Sequence, residues 1–96
     1  MSETLNQESV QGWLEKHPGW RWKQGALVKE FRFKSFRDTI VFVNRIASLA
    51  DESGNRPDMD IRGEMVRLSL HTPGADGITQ SVIEMAQRVD FATSAR

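Results

Sequence analysis

The residues with the most chemical potential lie in one short segment in which carboxylates and arginine alternate. It runs from Asp51 to Asp58 and contains Asn55, Arg56 and Pro57. Arginine presents planar, fork-shaped donors that bind carboxylates through paired hydrogen bonds, so the segment can be a recognition surface. The same residues can equally form a network of ion pairs in solvent, and their types alone do not choose between the two.

Proton transfer or metal binding would draw on histidine, and the two histidines of the chain stand apart. His17 precedes Pro18, and His71 follows an alternating apolar segment. Neither has a second histidine three to five residues away, the spacing of many zinc ligand pairs, so we expect no metal site. We expect His17 to satisfy carbonyls at a helix end and His71 to lie beside a turn.

Other catalytic classes lack their motifs. The chain has no cysteine, which excludes a thiolate nucleophile and a disulfide framework. Its glycine-containing segment 74–77 has neither the lysine nor the longer glycine pattern of a phosphate-binding loop. No nucleophile elbow surrounds any serine. We therefore expect no bound cofactor, and we interpret Trp13, Trp20 and Trp22 as core residues rather than a stacking platform.

Charge and hydropathy narrow the range of partners. Thirteen basic and thirteen acidic side chains cancel over 96 residues, which disfavours nucleic acid as a partner. The halves differ: residues 1–48 carry 8 basic and 5 acidic groups, near +3, and residues 49–96 carry the reverse, near −3. Such complementary halves favour self-association. No apolar run approaches the roughly 18 residues of a membrane span, so we expect a cytoplasmic protein that does not bind membranes.

Hydrophobic periodicity predicts seven elements. They are a helix over Gln7–Lys16, strands over Trp20–Lys23 and Leu27–Phe33, a helix from the cap Ser35 to about Asp51 or Glu52, strands over Met59–Arg62 and Val66–Leu70, and a last helix that carries Ile78, Val82, Met85, Ala86 and Val89. The apolar stripe of the second helix is expected at Phe36, Ile40, Val43, Ala47 and Ala50, and the chain after Phe91 is expected to fray.

The predicted order, α-β-β-α-β-β-α, indicates an α+β fold in a single domain, residues 1–96. Its four strands form a largely antiparallel, two-layer arrangement with the helices packed on one face of the sheet. The other face stays exposed, and an exposed sheet with free edges favours a homodimer or a higher homo-oligomer.

Several of these segments together resemble the pterin-4a-carbinolamine dehydratase family. The similarity extends from Trp20 through the strand 27–33 and the helix that begins near Phe36 to the loop 54–57 and the strand 66–70. The family's fold has the element order inferred above. The resemblance implies an acidic position at Asp51 and a proline at Pro57, and both are kept.

The positions to which the resemblance assigns proton transfer have changed. Those matched to the family's histidines are Asn55, Arg56 and Arg67, its aromatic position is Gly63, and its aspartate in the last helix is Val82. Arginine stays protonated and asparagine does not titrate, so we expect no catalytic residue among them. His71, about 13 Å along the strand from Arg67, is expected to lie away from the pocket mouth.

The resemblance therefore implies a catalytically degenerate member. Among such relatives, the chain is most similar to the pterin-dehydratase-like Rubisco assembly factors of α-carboxysomes, which implies Rubisco as partner and a carboxysome-associated location. The binding surface is expected at Asp51, Asn55, Arg56, Pro57, Asp58 and Arg67. Two alternatives stay open: an active dehydratase that recycles tetrahydropterin, and a regulatory partner that acts by dimerising with another protein.

Overall fold

The structure, a computed structural model, describes residues 4–94 and confirms the predicted order of elements. The elements are α1 (Gln7–Lys16), β1 (Arg21–Lys23), β2 (Ala26–Arg32), α2 (Phe36–Ser53), β3 (Asp58–Arg62), β4 (Met65–Leu70) and α3 (Gln80–Ser94). The four strands form one antiparallel sheet in the order β1-β2-β4-β3. The fold class expected from the sequence is therefore correct.

Strand β4 lies inside the sheet and alternates strictly between its two faces. Val66, Leu68 and Leu70 are fully buried, whereas Arg67 is exposed and Ser69 half-buried. Side chains along a strand point to opposite faces in turn, so this pattern separates an apolar face from a polar one. The polar face is called the open face below.

The core lies between the apolar face and the helices. Leu27, Phe31 and Phe33 continue that face from β2 into the residue after it. Each helix contributes side chains to the same core, namely Val10 from α1, Phe42 and Ile46 from α2, and Val82, Met85, Ala86 and Val89 from α3. Trp20 is buried, and Trp13 and Trp22 pack against the core, as predicted.

Helix α2 begins at the cap that the sequence predicts and ends at a left-handed glycine. The Ser35 hydroxyl accepts a hydrogen bond from the Asp38 backbone N–H at 3.1 Å, as expected of an N-cap. At the other end Gly54 adopts a left-handed conformation with φ 73°, and its N–H donates to the Ala50 carbonyl at 2.8 Å. The helix extends to Ser53, one residue beyond the predicted end.

The predicted apolar stripe of α2 was only partly correct. Ala50 is buried, Val43 packs against the core and Ile40 is half-buried, but the other two predicted residues face solvent. The buried residues are Thr39, Phe42, Ile46 and Ala50, whereas Phe36 is 57% exposed and Ala47 is exposed. Apolar side chains occur around much of this helix, so periodicity alone fits two neighbouring stripes. Packing of Phe42 against Phe31 and Phe33, with ring centroids 4.8 and 5.0 Å apart, selects the buried one.

Helix α3 differs from its prediction at both ends. Ile78 is buried but precedes the helix, and the Thr79 hydroxyl accepts from the Val82 N–H at 3.4 Å in the first turn. The chain beyond Phe91, which was expected to fray, is helical to Ser94, and residues 95–96 lie outside the described part of the chain. An Arg45 guanidinium nitrogen donates to the Ala92 carbonyl at 3.0 Å, which satisfies an acceptor in the last turn.

The orientation of α2 can be tested by truncating one phenylalanine on each side of the helix. We expect Phe42→Ala to lower the free energy of unfolding by about 3–5 kcal/mol, because it opens a cavity in the core. Phe36→Ala should cost less than about 1 kcal/mol, since its ring is mostly in solvent. Urea denaturation of both variants measures the difference, and equal losses would contradict the assigned stripe.

Candidate functional site

A cleft of about 520 Å³ lies where the loop after α2 meets the segment after β4. Residues from both segments and one from α3 line it, namely Ser53, Gly54, Asn55, Arg56, Pro57, Asp58, His71, Thr72, Pro73 and Ser81. The antiparallel pairing of Asp58 with Ser69 brings the start of β3 beside the end of β4. This pairing is why residues 13 or more positions apart in sequence share the cleft.

Asn55 is positioned by its neighbours on both sides of the cleft. Its backbone N–H donates to the Ser53 hydroxyl at 3.2 Å, and its side-chain amide donates to the Ser81 carbonyl at 3.4 Å. The second bond links the loop to the first turn of α3. Asn55 therefore closes one end of the cleft and has no proton to exchange in the ordinary pH range.

Arg56 supplies the strongest charge in the cleft. Its side chain is exposed, and among residues 4–94 it forms no salt bridge. A guanidinium group stays protonated at any physiological pH and carries donors for a planar acceptor such as a carboxylate. This residue is therefore available to an acidic group that enters the cleft.

His71 lies in the cleft, contrary to the expectation that it would be distant from the pocket mouth. Its Nε2 is 3.3 Å from an Asp58 carboxylate oxygen, and both residues line the cleft. The expectation measured distance from Arg67 along β4, but the cleft forms beyond the end of that strand. The expectation was wrong because Arg67, from which the distance was counted, does not line the cleft.

A hydroxyl network underlies this part of the structure. The Thr72 and Thr79 hydroxyls are 2.6 Å apart, and the Thr79 hydroxyl is also 3.1 Å from that of Ser81. Thr79 is buried, so these partners satisfy a hydroxyl that would otherwise be costly to bury. The network joins the segment after β4 to the start of α3 and fixes the cleft wall.

The structure brings together only four of the six residues predicted for the binding surface. Asn55, Arg56, Pro57 and Asp58 line the cleft. Asp51 is exposed on the last turn of α2 and does not line it. Arg67 projects from the open face, where its guanidinium donates to Glu30 at 2.8 Å.

The Arg67–Glu30 pair is directly opposite in the register of β2 and β4. The hydrogen bond from Arg67, helped by the charges of Arg67, Arg32 and Arg21, lowers the pKa of Glu30 below its ordinary value of 4.5. The same bond raises the pKa of Arg67. The two groups are thus held in their charged forms.

Sequence reasoning missed His71, Thr72, Pro73 and Ser81 as cleft residues. The first three could have been found from the sequence. In the predicted hairpin of β3 and β4, residues just after β4 lie beside residues just before β3. Ser81 could not be found this way, since the approach of α3 depends on tertiary packing.

Neither a metal-binding cluster nor a membrane-spanning helix is found in the described part of the chain. No group of three or more histidine, aspartate and glutamate side chains there is arranged to hold a metal ion. Between residues 4 and 94, no helix has the length and apolar character needed to cross a bilayer.

Two of the predicted residues in the cleft, Asn55 and Arg56, can bind polar or anionic groups but cannot exchange protons near neutral pH. Arg56 is a fixed cation, Asn55 is neutral, and Pro73 has no side-chain donor or acceptor. Asp58 and His71 are the titrating groups among the residues that line the cleft. They are in contact with each other, and both are open to solvent.

Comparison with known proteins gives a consistent family. Residues 3–92 match the model described as pterin 4 alpha carbinolamine dehydratase. A protein named putative pterin-4-alpha-carbinolamine dehydratase from Thermomicrobium roseum is 40% identical over 85 residues, which is 88% of this chain and 91% of that protein. A protein of the same name from Mycolicibacterium smegmatis is 37% identical, over 90% of this chain and 92% of its own.

Two solved structures share the fold. A transcriptional coactivator/pterin dehydratase from Brucella melitensis aligns with a TM-score of 0.87, covering 93% of this chain and 97% of its own. Its 23% identity supports the fold alone. A pterin dehydratase-like protein identified as a RuBisCO assembly factor in the alpha-carboxysome aligns with a TM-score of 0.68 and 27% identity, covering 78% of this chain and 89% of its own.

The electrostatic role of Arg67 can be tested through Glu30. In Arg67→Gln, we expect the pKa of Glu30 to rise toward 4.5, because its main hydrogen-bond donor is removed. A carboxyl with a lowered folded-state pKa stabilises the fold above its unfolded-state pKa and loses that contribution as pH falls through the folded value. The variant should therefore lose less stability than wild type on acidification below pH 4.5.

The measurement is an NMR pH titration of the Glu30 side chain, with urea denaturation at several acidic pH values. Arg88→Gln is the matched control, because Arg88 pairs with Glu52 on the helical side of the molecule. An unchanged Glu30 titration in Arg67→Gln would refute the assigned pair.

Proposed function

Because this chain belongs to the pterin 4 alpha carbinolamine dehydratase family, we propose that it is a catalytically degenerate member that binds a protein partner and acts as an assembly factor for Rubisco. The observation that carries the proposal is the composition of the cleft. Asn55 and Arg56 stand there at the positions matched to paired histidines, beside a proline.

The loss of chemistry follows from what dehydration of a carbinolamine requires. A proton must reach the leaving hydroxyl, and another must leave the neighbouring ring nitrogen. Each well-placed acid or base contributes roughly 10²- to 10⁴-fold to such a rate. Asn55 and Arg56 cannot exchange protons near neutral pH, so replacing imidazoles by these groups removes most of the acceleration.

The gain of a binding role follows from the same substitutions. Arg56 places a permanent cation with several donors in a cleft that is open to solvent. Such a group binds a carboxylate better than a neutral ring, because charge-assisted hydrogen bonds are the stronger kind. The partner segment that enters the cleft is therefore acidic.

Similarity supports Rubisco as the partner. The assembly factor of the alpha-carboxysome shares the fold over 78% of this chain at 27% identity. Extended to this chain, the likeness gives a role in Rubisco assembly and a carboxysome-associated location within the cytoplasm. A homo-oligomer is part of the same proposal, since several copies of one cleft would engage a multisubunit partner more strongly than a single copy.

A second candidate function, an active dehydratase, is favoured by one observation. His71 and Asp58 form a histidine–carboxylate contact of 3.3 Å inside the cleft. A carboxylate beside an imidazole is a common arrangement in general acid–base catalysis. The curated relatives named as putative dehydratases support this alternative. In it, His71 takes over the proton transfer that Asn55 and Arg56 cannot perform.

The dehydration rate of a 4a-hydroxytetrahydropterin separates the two candidates. We expect the wild-type protein to leave the uncatalysed rate unchanged. Asn55→His/Arg56→His should raise the rate, by roughly 10²-fold for each imidazole that reaches a productive position. Arg67→His is the control and should have no effect, because Arg67 lies on the open face and not in the cleft.

Substantial wild-type turnover that disappears in His71→Gln would overturn the proposed loss of catalysis. It would establish the second candidate instead, with His71 as the relocated acid or base.

The binding role is tested by titrating purified Rubisco from a bacterium with α-carboxysomes against this protein. We expect a complex that weakens as salt rises, and roughly tenfold or more weaker binding in Arg56→Glu, because the reversed charge repels an acidic segment. Arg37→Glu is the matched control, since Arg37 is exposed on α2 and does not line the cleft. Circular dichroism checks that both variants fold. If Arg56→Glu binds like wild type, the cleft is not the contact.

A further inference from the structure

A second positive region lies on the open face, at a distance in the fold from the cleft. A small recess of about 150 Å³ is lined there by Gly19, Arg21, Lys23, Val28, Glu30 and Arg67, together with part of Lys29. None of these residues lines the cleft.

The charges in the recess do not cancel. Glu30 is the acid among the lining residues, and it is engaged by Arg67 at 2.8 Å and by the adjacent Arg32 at 3.7 Å. Arg21 and Lys23 form no salt bridge with any side chain of residues 4–94. Three cations, Arg21, Lys23 and Arg67, therefore face a single carboxylate, which leaves a net positive recess.

The ammonium group of Lys29 does not add to the net positive charge of the recess. It donates to an Asp90 carboxylate oxygen at 2.8 Å and lies 5.6 and 5.1 Å from the ring centres of Trp20 and Phe31, on the helical side of the sheet.

We propose that this recess binds carboxylate side chains of an extended acidic segment of a protein partner. Arg21 and Lys23 are two residues apart on β1, an edge strand, so their side chains leave the same face about 7 Å apart. Alternate side chains of another extended chain have the same spacing. The recess is too small for a ring-sized ligand, which needs roughly 300 Å³ or more, but it can hold one carboxylate.

Other anions fit the surface less well. Asp58 and Asp60 lie on the same open face, paired with Ser69 and Arg67 across β3 and β4. They would repel a nucleic acid or a lipid surface laid across the sheet. The favoured occupant is thus a protein segment confined to the β1–β2 side.

This inference deepens the proposed function and rests on it for the class of partner, but it assigns a separate contact surface. Arg56 and Arg67, which the sequence placed in one site, would then serve two contacts. Two moderate contacts with one partner add their free energies apart from the cost of linkage, so their combined affinity can greatly exceed that of either alone.

The test uses a fluorescein-labelled peptide of alternating glutamate and serine, measured by fluorescence polarisation at low salt with the full chain. We expect Arg21→Ala/Lys23→Ala to weaken binding roughly tenfold, and Glu30→Gln to strengthen it several-fold, because a competing carboxylate is removed. Arg37→Ala, the matched control, should bind like wild type. All three affected side chains are on the surface, and urea denaturation checks that the variants keep the wild-type fold.

Each contrary result overturns the assignment. Equal binding by the Arg21/Lys23 double variant, or by a glutamine–serine peptide, would show that the recess does not select carboxylates. Inorganic phosphate or a single-stranded oligonucleotide binding more tightly than the peptide would make it an unselective anion site. Loss of all peptide binding in Arg56→Glu, with binding unchanged in the Arg21/Lys23 double variant, would place the peptide in the cleft alone.

The outcome is separable from that of the proposed function. Peptide binding through Arg21 and Lys23 without any Rubisco complex would leave the recess standing and remove Rubisco as the partner. A Rubisco complex that depends on Arg56, with no peptide binding at the recess, would remove this inference alone.

Discussion

The strict alternation of β4 between two faces is the constraint on which the rest of the structure depends. Val66, Leu68 and Leu70 carry the centre of the core, and their burial fixes the register of the strand. A shift by one residue would place Arg67 in the core and expose three aliphatic side chains. The register that avoids this also pairs Arg67 with Glu30 and with Asp60 on either side, and it sets where β4 ends. The cleft begins at that end, so its lining is a consequence of how the core is packed.

This constraint separates two sets of charged residues that are close in sequence. Arg56 belongs to a loop beyond the sheet, whereas Arg67 belongs to the surface of the sheet, and β3 lies between them in sequence. A small domain has little interior to enclose a substrate, since about 100 residues supply one modest core. Surface contacts with a large partner do not need an enclosed site. Fixed cations on two exposed surfaces suit such contacts, and they need no change in the fold.

Much of the fold could be predicted from the sequence, because each element has its own local signal. The cap at Ser35, the end of α2 to within one residue and the alternation of β4 all occur where the sequence indicates them. The failures have a common physical origin in tertiary packing. The buried side of α2 is chosen by contact between Phe42 and two phenylalanines of the sheet, and the last turns of α3 are supported by Arg45. The site was predictable in part, because the loop 55–58 could be identified from the sequence. That Arg67 lies outside the cleft and His71 inside it could not be predicted, because both depend on where β4 ends in space.

Two of the three tryptophans, Trp13 and Trp20, pack against each other. Trp13 stacks on His17 with ring centres 4.1 Å apart, Trp20 lies 6.3 Å from Trp13, and the Trp20 indole N–H donates to Asp90 at 2.9 Å. Neither the cleft nor the recess on the open face is lined by any of them. Intrinsic fluorescence therefore reports on the junction of α1, β1 and α3, and it is a local optical probe of that junction. Emission that changes when a partner occupies the cleft would show that the occupant affects groups beyond the residues that line the cleft.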